Sequence, residues 1–262
     1  MKKISYSLLF VPIVAALYAL SACGVQPLVY PGSTLSMPDA DYEHEAHHTT
    51  FQAQDGTVLS GWFFNRGKGT PLVVMYGGNA MNAGSFADIA AADPSRSYLL
   101  LNYRGYGNSE GTPSERLLVQ DARHCLQLAR RRLGDVTTPV VLVGFSLGSG
   151  VATQVAAAEN PAALVLICPF DSITEVACHM VPFIPRLLPL DSWRSVDYAP
   201  RITCPVSILR AENDSIVPPS ATDALIRAFT ASKPRVFTFP GDHNDIFDAP
   251  GFRRTLNSCL RP

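Results

Sequence analysis

The most constraining feature of this chain is the pentapeptide Gly144-Phe145-Ser146-Leu147-Gly148, in which a serine lies between two glycines. The apolar run 139–143 before it predicts a buried strand, and the small residues 149–159 after it predict a helix. A strand and a helix joined so closely need a sharp, strained turn, and the glycines allow close packing there. The turn would expose the Ser146 hydroxyl at the carboxyl edge of a sheet, beside the positive end of a helix. The motif therefore predicts a nucleophile.

A serine hydroxyl needs a general base and a group that orients this base. Predicted strands over 205–211 and 234–239 are followed by Asp214 and His243, respectively. Loops that follow parallel strands meet at one edge of the sheet, so we expect these two side chains to converge on Ser146. In that arrangement His243 takes the serine proton and later returns it to the leaving group. Asp214 fixes the imidazole tautomer and stabilises the imidazolium.

The acid has an alternative. Asp171 also follows a predicted strand, over 163–168, and could take the place of Asp214. Asp214 would then serve as a cap for the helix that follows it. Both aspartates lie between Ser146 and His243, as the family order requires, and we take Asp214 as the acid with Asp171 as the alternative.

Further motifs precede and follow the serine motif. They include YGGNAMN at 76–82 and the long block NYRGYGNSEGTPSE at 102–115 before it, and DSIVP at 214–218 and GDHND at 241–245 after it. With these motifs the chain resembles the α/β-hydrolase superfamily, and within it the Bem46-like serine hydrolases, from about residue 51 to the C-terminus. The resemblance implies an α/β-hydrolase fold and hydrolysis of a carboxylic ester or thioester through an acyl-enzyme, with the same three residues as the triad.

An oxyanion hole requires two backbone N–H groups aimed at the developing negative charge. Leu147, which follows the nucleophile, is expected to supply one. By its position in the family pattern, Asn79 supplies the other. The chain departs from that pattern at Gly77, where histidine is usual, and at 210–211, where Arg-Ala replaces His-Gly. Neither change removes a catalytic group, so the sequence predicts an active enzyme.

Strands and helices alternate along the rest of the chain, which predicts the α/β class with a mostly parallel sheet and helices on both faces. Segments 49–54 and 57–64, around Asp55-Gly56, predict an N-terminal antiparallel hairpin. The apolar segment between Asp171 and Ala199 predicts a short lid over the catalytic edge. Alternatively, its residues only pack on the core.

The N-terminus predicts export and a lipid anchor. Residues 4–20 are mainly apolar after Lys2-Lys3, but too short for a confident spanning helix. The following Leu20-Ser21-Ala22-Cys23 resembles a bacterial lipobox, which implies a signal peptide over 1–22 and fatty-acyl groups such as palmitate on Cys23. Residues 23–45 are predicted to form a tether or to wrap over the surface, and residues 46–262 are predicted to form the hydrolase domain. Gly24 lacks the aspartate of inner-membrane retention, so we expect the outer membrane, facing the periplasm. An ordinary secretion signal is the alternative.

Composition fits a single α/β domain with no nucleic-acid partner, because the formal net charge is only −1 and 47% of residues are hydrophobic. The chain has six cysteines, so lipidation of Cys23 leaves an odd number and at least one thiol outside any intrachain disulfide. A metal site at His44, His47 and His48 lacks a fourth ligand, so neither a metal nor a cofactor is predicted.

Taken together, the sequence predicts a membrane-anchored serine hydrolase acting on small, medium or lipid-like esters. A serine peptidase on the same scaffold is one alternative. A non-catalytic envelope protein that uses the fold for binding is another. The three catalytic residue types, all present in order, favour the first prediction over the last.

Overall fold

The computed structural model describes residues 29, 30, 32, 38, 39, 44–180 and 191–261. Within them, one sheet contains eight strands: β1 His48–Gln52, β2 Val58–Phe64, β3 Leu72–Tyr76, β4 Ser97–Leu101, β5 Val140–Phe145, β6 Ala163–Ile167, β7 Val206–Ala211 and β8 Arg235–Phe239. Their order across the sheet is β1-β2-β4-β3-β5-β6-β7-β8. The strand that ends at the serine motif, β5, therefore lies between β3 and β6.

The pairing of the strands confirms the predicted fold class. Strands β1 and β2 form an antiparallel hairpin, and β2 also pairs antiparallel with β4. All other neighbours, from β4 through β8, are parallel. The hairpin turns at Gly56, which has a φ of 87°, while the Asp55 carboxylate accepts a hydrogen bond from the Thr57 amide at 3.1 Å.

Helices cover both faces of this sheet. They are α1 Ala87–Ala91, α2 Glu115–Arg132, α3 Leu147–Glu159, α4 Ile173–Met180, α5 Ser195–Tyr198, α6 Pro219–Ala228 and α7 Phe252–Cys259. Buried residues of α2, α3 and α6 form one core with the sheet, and those of α1 and α7 form a second core on the opposite face. In the part of the chain that the structure describes, no helix combines the length and apolarity needed to cross a membrane.

Alternation along the central strands divides their side chains between the two cores. In β5, Val140 and Leu142 join the first core, while Val141 and Val143 join the second. Every residue of β3, β4, β5 and β6 is buried, as expected for parallel strands covered on both sides. Since each fully buried aliphatic side chain contributes about 1.5–3 kcal/mol, these strands give the site a rigid base.

Part of the N-terminal segment that was predicted as a tether or wrap is packed on the domain. Tyr30 and Asp39 are buried. The Asp39 carboxylate accepts hydrogen bonds from the side-chain amides of Asn82 at 2.8 Å and Asn102 at 2.9 Å, and also contacts His48. The predicted signal peptide, Cys23 and the core of the predicted lid, 181–190, lie outside the described residues.

Candidate active site

The serine motif forms a sharp turn between β5 and α3. Ser146 has φ 50° and ψ −118°, a strained backbone for a residue with a Cβ. A Cβ on Gly144 would lie 2.2 Å from the carbonyl oxygen of Gly148, and a Cβ on Gly148 would lie 2.2 Å from that of Tyr76. Both glycines are therefore required for the strand and helix to meet, and the turn leaves Ser146 partly exposed.

His243 and Asp214 form a buried pair at the same edge of the sheet. Asp214 lies three residues beyond β7, and His243 lies four residues beyond β8. The Nδ1 atom of His243 is 2.8 Å from Oδ2 and 2.9 Å from Oδ1 of Asp214. Their side chains are only 3% and 6% exposed, so water competes little for this contact.

The charge state of Asp214 is set by its surroundings. Burial opposes ionisation, but the hydrogen bond and the charge of His243 outweigh it. Backbone amides of Ile216 and Val217 also donate to Oδ1, at 3.0 and 2.7 Å. Together they hold the pKa of Asp214 below its usual value, so this carboxylate is ionised at neutral pH.

The imidazole lies next to the serine turn. The rings of His243 and Phe145, the residue before Ser146, have centroids 5.1 Å apart. Because Nδ1 contacts Asp214, Nε2 is the nitrogen left to accept a proton. No hydrogen bond links the Ser146 hydroxyl to His243, both of which the structure describes. In hydrolases such bonds often tighten only when substrate binds.

Asp171 occupies a different position. Its carboxylate accepts a hydrogen bond from the Ser172 amide at 2.6 Å, and burial raises its pKa. Among the described residues, Asp214 is the aspartate that contacts the imidazole of His243. The geometry therefore favours Asp214 over Asp171 as the acid.

The two candidate oxyanion donors flank Ser146. Leu147 is the first residue of α3, where the backbone N–H groups have no partner within the helix. The loop that carries Asn79 lies over the turn, because a Cβ on Gly78 would be 3.5 Å from that of Ser146. At Gly77, where the family pattern has histidine, the carbonyl accepts a hydrogen bond from the Tyr103 hydroxyl at 2.8 Å. This bond fixes the start of the loop that carries Asn79.

Cys168 is a neighbour of the pair that the sequence did not predict. It follows β6 with a φ of 46° and is fully buried. Its Sγ, an Asp214 oxygen and a His243 nitrogen lie within 4.8 Å of one another. Burial, and then the charge of Asp214, raises the pKa of this thiol. The only sequence signal was the end of a strand at this edge.

The three N-terminal histidines contact separate partners. His44 is 3.1 Å from an Asp88 oxygen, and His48 is 2.8 Å from an Asp39 oxygen. The ring of His47 stacks on Phe64 with a centroid distance of 4.2 Å. These side chains therefore serve local packing at the start of the sheet.

The sheet, the serine turn and the histidine–aspartate pair at its carboxyl edge define the class of α/β hydrolases. A model of the Alpha/beta hydrolase family matches residues 61–241. The chain therefore belongs to the α/β-hydrolase family.

Several relatives align over most of the chain. The uncharacterized protein Rv2307c of Mycobacterium tuberculosis is 34% identical over 247 residues, 88% of each chain. YfhR of Salmonella typhi is 31% identical over 264 residues, 93% of this chain and 88% of that protein. The lysophosphatidylserine lipase ABHD12 of Rattus norvegicus is 34% identical over 188 residues, which cover 61% of this chain and 47% of the lipase.

Solved structures share the fold at low identity. The esterase Pf2001 of Pyrococcus furiosus superposes with a TM-score of 0.69 at 14% identity, covering 85% of this chain and 91% of the esterase. The monoacylglycerol lipase of Paleococcus ferrophilus has a TM-score of 0.59 at 20% identity, covering 77% of this chain and 98% of the lipase. At these identities the likeness establishes the fold alone.

Proposed function

We propose that this protein is a serine hydrolase that cleaves carboxylic esters or thioesters through an acyl-enzyme on Ser146. The observation that carries the proposal is the buried contact between His243 and Asp214 beside the strained serine turn. This contact supports His243 as a general base whose tautomer is fixed by the ionised Asp214. It also supports the neighbouring Ser146 hydroxyl as the nucleophile.

The proposed reaction has two halves. As Ser146 Oγ attacks the carbonyl carbon, His243 Nε2 takes its proton, and the amides of Asn79 and Leu147 stabilise the oxyanion. His243 then gives the proton to the leaving alcohol or thiol, and Asp214 stabilises the imidazolium between these steps. In the second half, water repeats the attack on the acyl-enzyme with His243 as base, which releases the acid and restores Ser146.

Small, medium or lipid-like acyl groups are the proposed substrates. The Bem46-like sequence motifs support a hydrolase that acts on substrates of this kind. The names of its relatives also support it, since one is a lysophosphatidylserine lipase and a structural neighbour is a monoacylglycerol lipase. The apolar segment around 181–190 suits a lid over an acyl chain.

The proposed anchor is a lipid on Cys23, after removal of 1–22. Val29, whose carbonyl contacts Asn79, lies six residues after Cys23 in the chain. Six residues span at most about 20 Å, so an anchor there would hold the candidate site close to a membrane surface. We expect labelled fatty acid to be incorporated by the full chain in a bacterial host and to be lost in Cys23→Ser, which also leaves the membrane fraction. Equal labelling of both proteins would contradict the anchor.

The test of the catalytic proposal compares two serine variants. Ser146→Ala should lower kcat for p-nitrophenyl esters by about 10⁴-fold or more without changing the circular-dichroism spectrum. Ser220→Ala, at an exposed serine near the start of α6, is the matched control and should retain activity within about twofold. Turnover of peptidyl substrates in preference to esters would favour a peptidase. Absence of all turnover in folded protein would favour a binding protein.

A further inference from the structure

Asn79 is held by a short N-terminal segment, which we call the strap: Val29, Tyr30 and Gly32. The Asn79 side-chain amide donates to the carbonyl of Val29 at 2.6 Å. Its oxygen accepts from the Tyr106 hydroxyl at 2.7 Å. Both ends of the amide are thus occupied, and a flipped amide would place two oxygens against each other at Val29. The neighbouring Ala80 has a φ of 63°, so this loop has an unusual backbone that needs outside support.

The strap packs closely against the same loop. A Cβ on Gly32 would lie 2.1 Å from the Tyr106 ring and 2.7 Å from Cα of Ala80. Only a glycine fits at such a distance. The strap therefore contacts the loop of Asn79 through backbone as well as through hydrogen bonds.

Tyr30 links the strap to Asp191 and Trp193, which lie just before α5. Its hydroxyl, buried with the rest of the side chain, donates to Asp191 Oδ2 at 2.5 Å and accepts from the indole N–H of Trp193 at 3.1 Å. Glu115, the first residue of α2, donates its amide to the same Asp191 oxygen at 2.8 Å. Its carboxylate accepts from the amide of Trp193 at 3.0 Å and from the Gln154 side chain at 2.7 Å.

This network reaches the helix that follows the nucleophile. Gln154 belongs to α3. The Trp193 indole also packs on that helix, because a Cβ on Gly150 would lie 2.9 Å from its ring. The strap is therefore in contact, directly or through one residue, with the Asn79 loop, with the start of α2 and with α3.

We propose that the strap positions the oxyanion hole, with Tyr30 as the positioning residue that ties the Asn79 loop to α3 and Leu147. This inference rests on the proposed ester hydrolysis. Oxyanion donors act through preorganisation, because their contacts are made to a charge that develops only in the transition state. Loosening the strap should therefore lower kcat and leave KM nearly unchanged.

The experiment compares Tyr30→Phe with Tyr98→Phe in the full chain. Tyr98 is an equally buried tyrosine whose hydroxyl donates to Asp93 at 2.7 Å, in the core on the opposite face of the sheet. Both variants lose one hydroxyl and the hydrogen bond that it donates to an aspartate, and Tyr30→Phe also loses the bond accepted from the Trp193 indole. We expect Tyr30→Phe to lower kcat by about tenfold with KM within about twofold, and Tyr98→Phe to retain kcat.

A trifluoromethyl ketone provides a second readout, because its adduct with the serine carries an oxyanion. We expect Tyr30→Phe to weaken inhibition by this ketone by the same factor as kcat/KM falls, and to leave inhibition by the product acid unchanged. Should Tyr30→Phe fail to fold, Asp191→Asn, which weakens the same hydrogen bond, replaces it in the comparison.

The outcomes separate the two proposals. The strap is supported as a positioning element if Tyr30→Phe lowers kcat with little change in KM and weakens ketone inhibition by the same factor as kcat/KM falls. An active wild-type enzyme whose Tyr30→Phe variant matches Tyr98→Phe in kcat and in ketone affinity overturns the strap alone. Wild-type protein that is folded but hydrolyses no ester overturns the proposed function and the strap together.

Discussion

At the scale of single residues, the choice between two aspartates decides the chemistry of the site. Asp214 contacts His243 Nδ1, whereas the Asp171 carboxylate accepts from the Ser172 amide. We expect Asp214→Asn to lower kcat by about 10⁴-fold, because an amide no longer fixes the productive tautomer or stabilises the imidazolium. Asp171→Asn is the matched control, and ester hydrolysis by it should stay within about twofold of wild type.

That comparison would count against the assignment in one clear case. If Asp171→Asn lost activity and Asp214→Asn kept it, with both proteins folded by circular dichroism, the assignment of Asp214 as the acid would be wrong. Similar, modest losses in both variants would indicate that neither carboxylate acts on the imidazole.

The same two aspartates should affect stability with opposite dependence on pH. The pKa of Asp214 is lower in the folded protein, so its stabilising contribution is complete above its unfolded pKa of about 4 and is lost as pH falls through the folded pKa. Burial raises the pKa of Asp171, so its ionisation at neutral pH opposes folding.

Urea unfolding at pH 7 and pH 3 measures both effects. We expect Asp214→Asn to be less stable than wild type at pH 7, with a smaller difference at pH 3. We expect Asp171→Asn to be at least as stable as wild type at pH 7, with its advantage lost at pH 3, where the wild-type carboxyl group is protonated in both states. Differences that do not change with pH would show that these carboxylates do not titrate as their surroundings imply.

Most of the candidate site could be predicted from residue order, because loops after parallel strands converge at one edge. Ser146, Asp214 and His243 each follow a strand that its apolar residues already marked. Cys168 and Tyr30 could not be predicted in this way. Cys168 lies beside Asp214 because β6 pairs with β7. Tyr30 hydrogen-bonds to Asp191, which is far from it along the chain.

At the scale of elements, the turn between β5 and α3 depends on the lack of side chains at its glycines. We expect Gly148→Ala to destabilise the protein by about 3 kcal/mol, because its Cβ would collide with backbone atoms that cannot rotate away. Gly134→Ala is the control: it has a φ of 71° but open space around it, so strain alone should cost about 1 kcal/mol.

Chemical denaturation of the two variants checks this prediction. An equal loss in free energy of unfolding would mean that the turn can relax and that close packing of β5 on α3 is not required. A larger loss for Gly148→Ala supports the steric argument.

The elements themselves were predicted better than their ends. The strand predicted over 139–143 is observed as β5 Val140–Phe145, which runs into the serine motif. The motif glycine continues in the strand because Gly144 and Phe145 pair with Leu166 and Ile167 of β6. Apolar pattern marks a strand, but neighbouring strands decide where it stops.

At the scale of the whole molecule, sequence left the state of the cysteines open. The thiols of Cys125, Cys168, Cys204 and Cys259 are free and buried. Burial raises the pKa of Cys125 to about 12 and that of Cys204 to about 11, and the pKa of Cys168 is raised as well. Since the thiolate is the reactive form, these three should resist alkylation in the native protein.

Iodoacetamide labelling followed by mass spectrometry tests this expectation. The Cys23→Ser variant is used for the labelling. In the native protein we expect Cys178, which is partly exposed, to react first. In urea we expect all thiols to react. Rapid native labelling of Cys168 would contradict its buried place beside Asp214. Failure of any pair to react in urea without reductant would reveal a disulfide.

The fold as a whole could be predicted from the order of the motifs, because each glycine-rich loop joins a strand and a helix in the order typical of this family. The burial of Tyr30 and Asp39 did not follow, since a short stretch without apolar periodicity gives no sign of what it contacts. The side chains of these two residues hydrogen-bond to residues of the domain.

Labelling of the folded full chain with an alkyl fluorophosphonate, followed by peptide mass spectrometry, tests whether Ser146 is a nucleophile activated by His243 and Asp214. We expect one adduct per chain, on Ser146, with labelling lost in Ser146→Ala and greatly slowed in His243→Ala. No adduct on folded protein, or an adduct on another serine, would contradict it.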